Sequence, residues 1–288
     1  MSWKAWFCHG LWPLAGLWLM MVAGCDSGSA PPQVLVLGTT TTVQDSGLLT
    51  VLMDEFRKES GIEVKTVVGG SGEVLELGRR GDVDLLLTHS PDAEKEFAAE
   101  GWGTARLPLM HSDYILAGPA DDPATCREAR SALDALKRIA DSGQVFISRG
   151  DRSGTHAREL KLRKAAELAT TGENIVSTGT GMGETLRVAS EKKAYVLCDR
   201  PTFLALKATL DLVIVFEGGE DLRNDYSILP VNPAKHAHVR NDAAQKLAAF
   251  LLSPTASALI ERFGREKYGE PVFTPAVPAG SARPDAGS

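Results

Sequence analysis

From Val34 onward, short apolar segments alternate with longer amphipathic ones, and this alternation restricts the chain to an α/β fold. Strands are expected at Val34 to Leu37, Glu63 to Val68, Val83 to Leu87, Tyr114 to Ala117, Val145 to Ile147, Tyr195 to Leu197, Leu212 to Phe216 and Tyr226 to Val231. Leu48, Leu49, Val51, Leu52 and Phe56 recur at helical spacing, with Asp45 or Ser46 as the cap. Further helices are expected over Ala129 to Ala140, Thr155 to Ala169, Glu184 to Ser190, Pro201 to Leu210 and Ala243 to Leu252. In sheets of this kind ligands bind where strands end and loops lead into helices.

Four of those strand-to-helix turns have an unusual composition: Gly38-Thr39-Thr40-Thr41-Thr42, Gly69-Gly70-Ser71-Gly72, Ser148-Arg149-Gly150-Asp151-Arg152-Ser153-Gly154-Thr155, and Thr178-Gly179-Thr180-Gly181-Met182-Gly183. Helices are expected from near Ser46 after the first turn and from Glu73 after the second. Each turn sets hydroxyls and glycines at a helix N-terminus, where unbonded backbone N–H groups and the helix dipole favour an anion. Capping alone explains serine and threonine at one such position. Four in one chain, one of them bearing a guanidinium, point to a small multivalent oxyanion.

Arg149 can grip an oxyanion with two parallel N–H groups while Asp151 orients it. That pairing bears on which anion fits. Hydrogen phosphate keeps a proton at neutral pH and needs an acceptor, whereas tungstate, molybdate and sulfate do not. An Asp151 engaged by Arg149 favours the unprotonated dianions.

Other chemistries lack their motifs. No G-x-x-x-x-G-K-[ST] is present, and Gly179-x-Gly181-x-Gly183 is not the dinucleotide-binding spacing. Gly69-Gly70-Ser71-Gly72-Glu73 lacks the last glycine of a nucleophile elbow. His89, His111, His236 and His238 form no metal-ligand pattern, and His156 reads as a polar helix residue. The chain is acidic, with a formal charge of −6, so a nucleic acid is not the expected partner.

The first 24 residues read as a secretory signal: Lys4, an apolar run from Leu11 to Val22, then small residues. The run is shorter than the roughly 20 apolar residues a bilayer span needs. Val22-Ala23-Gly24-Cys25 resembles the bacterial lipobox, which implies cleavage before Cys25 and lipid on that cysteine. Asp26 resembles an inner-membrane retention signal. Residues 25–33 then read as a flexible tether and 274–288 as a disordered tail. Of the remaining cysteines, Cys126 and Cys198 fit either a disulfide or two buried thiols in an exported chain.

With these residues laid out, the chain resembles the tungstate-binding component of bacterial tungstate ABC importers from about Val34 to Phe263. The likeness is carried by Thr39-Thr40-Thr41-Thr42 through Asp45-Ser46-Gly47-Leu48-Leu49, by Gly81-Asp82-Val83-Asp84-Leu85-Leu86-Leu87, by Ser148 through His156, and by Gly181-Met182-Gly183-Glu184-Thr185-Leu186. That family usually has serine where Thr42 stands. The Arg149-to-Thr155 segment also resembles the Arg-x-Asp-x-Ser-Gly-Thr loop of phosphate-binding proteins, which makes phosphate the nearest rival ligand.

The resemblance implies a two-lobed periplasmic binding protein fold, type II, with two hinge crossings and a ligand cleft between the lobes. Lobe 1 is expected over 34–117 and 217–273, the second piece including the hinge return, and lobe 2 over 118–216. The implied oxyanion site is Thr39, Thr40, Thr41, Ser71, Arg149, Ser153, Gly154 and Thr155. Its implied partners are tungstate or molybdate and an ABC permease. The expectation is a monomeric, lipid-anchored periplasmic receptor needing neither metal ion nor organic cofactor. A phosphate or sulfate receptor is the alternative of the same fold. A serine lipoprotein hydrolase using Ser71 or Ser153 is the alternative from another class, and it requires a histidine within reach of the serine.

Overall fold

The computed structural model describes residues 34–151 and 153–276. The expectations for the leader, Cys25, Asp26 and the tether fall outside them.

The described residues start with β1 (Val34–Thr40), in which Leu35 and Leu37 are fully buried. Thr41 opens α1 (Thr41–Ser46), a single short helix that stops at Gly47. Gly47 takes a left-handed φ of 86°, a conformation that favours glycine, and α2 (Leu48–Ser60) restarts immediately after it. The helix expected from near Ser46 is α2, and α1 is an additional short helix at the threonine turn. Ser46 does accept a bond from the Leu48 N–H, at 3.2 Å. An α/β repeat follows through β2 (Glu63–Gly69), α3 (Ser71–Arg80), β3 (Leu85–Thr88) and α4 (Pro91–Ala99).

The long strand β4 (Leu107–Gly118) leads into α5 (Ala132–Asp141), β5 (Phe146–Ser148), α6 (Gly154–Ala165), β6 (Ile175–Ser177), α7 (Met182–Glu191), β7 (Tyr195–Asp199) and α8 (Arg200–Leu206). Then β8 (Val213–Glu217) and β9 (Arg223–Pro230) return the chain, followed by α9 (Asn241–Leu251), α10 (Pro254–Tyr268) and β10 (Thr274–Pro275). The first residues of the expected tail are thus ordered. Thr274 and Pro275 pair with His111 and Met110 of β4, and the Ala276 N–H donates to the Leu109 carbonyl at 2.8 Å.

One mixed sheet runs in the order β2-β1-β3-β9-β4-β7-β5-β6. Strand β4 joins its halves: Leu107 to Asp113 pair antiparallel with β9, while Tyr114 to Ala117 pair antiparallel with β7. The return path makes the second crossing, since β8 pairs with the end of β4 and β9 with its beginning. Two segments of chain therefore link two α/β lobes. Parallel strands β1, β2 and β3 on one side, and β5, β6 and β7 on the other, turn their carboxyl ends and following helices towards the space between.

Cys126 and Cys198 are both buried and unbonded to another cysteine. Burial pushes the Cys126 thiol up to about 12 and the Cys198 thiol well above its ordinary value, so both act as small apolar core groups.

Candidate functional site

Thr39 and Thr40 end β1 and are almost wholly buried, yet neither hydroxyl has a hydrogen-bond partner. The same holds for Ser71, the first residue of α3, and for Thr155, the second residue of α6. A buried hydroxyl without a partner costs about 1–3 kcal/mol. Four of them stand at three of the turns, where the polar groups are left incomplete. Near Thr155 lies Tyr114, whose phenol is held well above the usual range by burial.

The guanidinium is held in place. Arg149 is only 4% exposed, and its Nε–H donates to Asp151 Oδ2 at 2.8 Å. The other Asp151 oxygen accepts the Ser153 backbone N–H at 3.1 Å. Gly150 allows this sharp turn with φ 66°, and any side chain there would strike Ser177. Beneath the turn, the Ser148 hydroxyl donates to Glu159 at 2.9 Å, and Arg163 Nε donates to the other Glu159 oxygen at 3.2 Å. Burial raises the Glu159 carboxyl and lowers the Arg163 guanidinium, each partly offset by the opposite charge beside it.

The fourth turn acts as a brace. The Thr178 and Gly179 N–H groups donate to the Ser148 and Arg149 carbonyls at 3.1 and 3.0 Å. Gly179, Thr180 and Gly181 also line a cleft of ≈ 760 Å³, opposite Thr41, Gly69, Gly70 and Gly72. Arg149, Gly150 and Asp151 line the same cleft. Four separate turns thus meet around one space.

Of the residues singled out in the sequence, Thr41 lines the cleft as the first residue of α1. Ser153 has a capping role: its Oγ accepts the His156 N–H at 3.3 Å, which leaves its hydroxyl proton to donate elsewhere. Gly154 opens α6. The second helix begins at Ser71, not Glu73, because Glu73 reaches back and accepts the Gly70 N–H at 3.1 Å. A hydrolase would need a base on its serine; Ser71 Oγ has no hydrogen-bond partner, and Ser153 Oγ accepts the His156 backbone N–H.

Two features were missed in the sequence. Thr42 on α1 donates to the buried Asp199 carboxylate at 3.3 Å, 157 residues away. His89, just past β3, lies among the linking strands and against Gly154. Its one sequence signal was position, directly after a buried strand.

Two lobes joined by two crossings, with oxyanion-type turns facing each other across a cleft, define a solute-binding protein. A family model described as the PBP superfamily domain matches residues 27–255. The chain is 44% identical over 243 residues to a tungstate-binding protein, TupA, of Peptoclostridium acidaminophilum, covering 84% of this chain and 85% of that one. It is 34% identical to the Campylobacter jejuni protein of the same name, covering 81% and 87%. Among solved structures, TupA from Desulfovibrio alaskensis superposes with a TM-score of 0.76 at 40% identity, covering 85% of this chain and 99% of that one. The tungstate ABC transporter structure from Geobacter sulfurreducens gives 0.74 at 43%, covering 79% and 97%. The chain belongs to the PBP superfamily and, within it, to the family of these tungstate-binding proteins, which is a solute-binding and not an enzymatic family.

Proposed function

We propose that this chain captures a tetrahedral oxyanion, tungstate or molybdate, between its lobes and delivers it to an ABC permease. The observation that carries the reading is the set of four buried, unpartnered hydroxyls of Thr39, Thr40, Ser71 and Thr155, together with a buried Arg149 already oriented by Asp151. Thr41, Ser153 and the α6 N-terminus at Gly154 complete the proposed ligand set. A bare tetrahedral dianion accepts at every oxygen and brings no proton, so a ring of donors suits it.

Selectivity follows from the same geometry. Each Asp151 oxygen accepts one bond, from Arg149 and from Ser153, and so engaged the carboxylate serves the arginine in this reading, not the proton of hydrogen phosphate. The relatives, named as tungstate-binding proteins, support the same choice. We further propose that the chain works in the periplasm as a monomer tethered through lipid on Cys25, a reading supported by Val22-Ala23-Gly24-Cys25. The lobes are proposed to part near Ala117 and between Phe216 and Tyr226, close to where β4 and the β8–β9 return change partners.

Isothermal titration with tungstate, molybdate, sulfate and phosphate tests the reading. Tungstate and molybdate should bind far more tightly than phosphate. No heat and no thermal stabilisation with any of the four sinks it.

A further inference from the structure

His89 is fixed on three sides by the strands that join the lobes. Its Nδ1 lies 2.9 Å from Asn224 Oδ1 and 3.2 Å from the Tyr114 hydroxyl. Asn224 uses its amide nitrogen on Ser112 and Tyr226, so its oxygen is the acceptor and His89 Nδ1 carries the proton. The ring also stacks on Tyr226, with centroids 5.0 Å apart and planes at 22°. Asn224 and Tyr226 lie on β9 and Tyr114 on β4, the two linking strands.

The fourth contact crosses between the lobes. A methyl group on Gly154 would lie 2.9 Å from His89 Cε1 and 3.2 Å from each ring nitrogen. A real Cβ does not sit that close to a ring, and this ring is pinned and has little room to move. Gly154 is the first residue of α6, so its lack of a side chain lets the helix start touch His89 directly. The lobes meet nearby as well: a methyl on Gly70 would be 3.8 Å from Ser153 Cα, and Lys161 Nζ is 3.9 Å from Asp92. In this structure the two walls are therefore in contact along this edge of the cleft.

We propose that His89 is a positioning residue, the fixed seat against which the N-terminus of α6 docks when the cleft closes. The seat sets how far Thr155 and the Arg149 turn advance towards Thr39, Thr40 and Ser71. Closure is a hinge motion, and it stops where packed groups meet. The His89–Gly154 contact is such a stop, and it tolerates no added methyl. This inference rests on the cleft being an oxyanion site, because closure is read through ligand affinity.

The test uses the full chain with sodium tungstate as probe, in four forms: wild type, Gly154→Ala, His89→Ala and the double variant. Gly154 has an ordinary helical backbone, so alanine adds a methyl and keeps the N–H. Gly154→Ala should weaken tungstate affinity by roughly tenfold or more, as overpacking of a tight contact does. Its small-angle scattering should lack the ligand-induced compaction expected of the wild type. Removing the ring in the double variant makes room for the methyl and should recover much of the loss, so the two losses are not additive. The melting temperature of ligand-free Gly154→Ala should match the wild type, since the contact forms on closure.

Three results overturn the proposal alone while wild type binds: Gly154→Ala binding like wild type, a double variant losing the product of both single losses, or a ligand-free Gly154→Ala that melts well below wild type. A wild-type chain that binds none of tungstate, molybdate, sulfate and phosphate overturns both this proposal and the reading beneath it.

Discussion

The Asp151 carboxylate ties Arg149 to the turn that carries it: one oxygen accepts the guanidinium Nε–H at 2.8 Å and the other accepts the Ser153 N–H at 3.1 Å. A long side chain with many rotamers is thereby reduced to one pose before any anion arrives. Such preorganisation raises affinity by lowering the ordering cost of binding.

Arg149→Ala should lower tungstate affinity by about 100-fold, in line with about 1.5–3 kcal/mol for a hydrogen bond to a charged group. Asp151→Asn should cost about tenfold, because the charge that orients the guanidinium goes while the arginine stays. Titration calorimetry reads both. Near-unchanged binding in Arg149→Ala would mean that the guanidinium does not touch the ligand.

The unpartnered hydroxyls give a prediction of opposite signs. Thr39→Val and Thr155→Val replace buried, unsatisfied oxygens by methyl groups of similar size. The ligand-free protein should keep or gain stability, while each variant loses about 1 kcal/mol of tungstate binding. Thermal melts with and without tungstate separate the two effects.

Much of this site was legible because its chemistry is local. The threonine turn, the Gly69-to-Gly72 turn and the Arg149–Asp151 pair each lie within a few consecutive residues, and backbone geometry carries them to one cleft. Helix starts at Thr41 and Ser71 were not legible, since an extended N-cap residue and a reaching Glu73 decide them. Nor were the Thr42–Asp199 and His89–Asn224 bonds, whose partners stand 157 and 135 residues apart. Only the completed sheet brings those together. The pairing of Thr274 with His111 escaped notice for the same reason, and proline-rich composition pointed the other way.

Burial holds His89 below its ordinary value, and the nearby Arg149 charge acts in the same direction. The Asn224 bond and the Asp199 and Glu94 charges partly offset this. The unfolded chain takes up a proton at about pH 6.5, while the folded chain resists it to a lower pH. The His89 contribution to stability is thus fully present above about pH 6.5 and is lost as pH falls towards the folded value. Urea unfolding between pH 7.5 and 5 should show the fall, and His89→Phe should flatten it. An identical slope in that variant would assign the pH dependence to other groups.

The buried Glu159–Arg163 pair supports the Ser148 end of the Arg149 turn, with the guanidinium 4.2 Å above the Phe146 ring. Arg163→Leu leaves a carboxylate buried without its partner and should cost about 3–5 kcal/mol in denaturant unfolding. Replacing both residues by leucine should cost much less. Equal losses in the two variants would show that the pair itself, not the stranded charge, supplies the stability.

The most direct test is a crystal structure of the chain grown with sodium tungstate, with the tungsten located by its anomalous signal. The account predicts one tungsten in the cleft, its oxygens within hydrogen-bond reach of Thr39, Ser71, Arg149 and Thr155. Tungsten bound elsewhere, with those hydroxyls still lacking a partner, would contradict it.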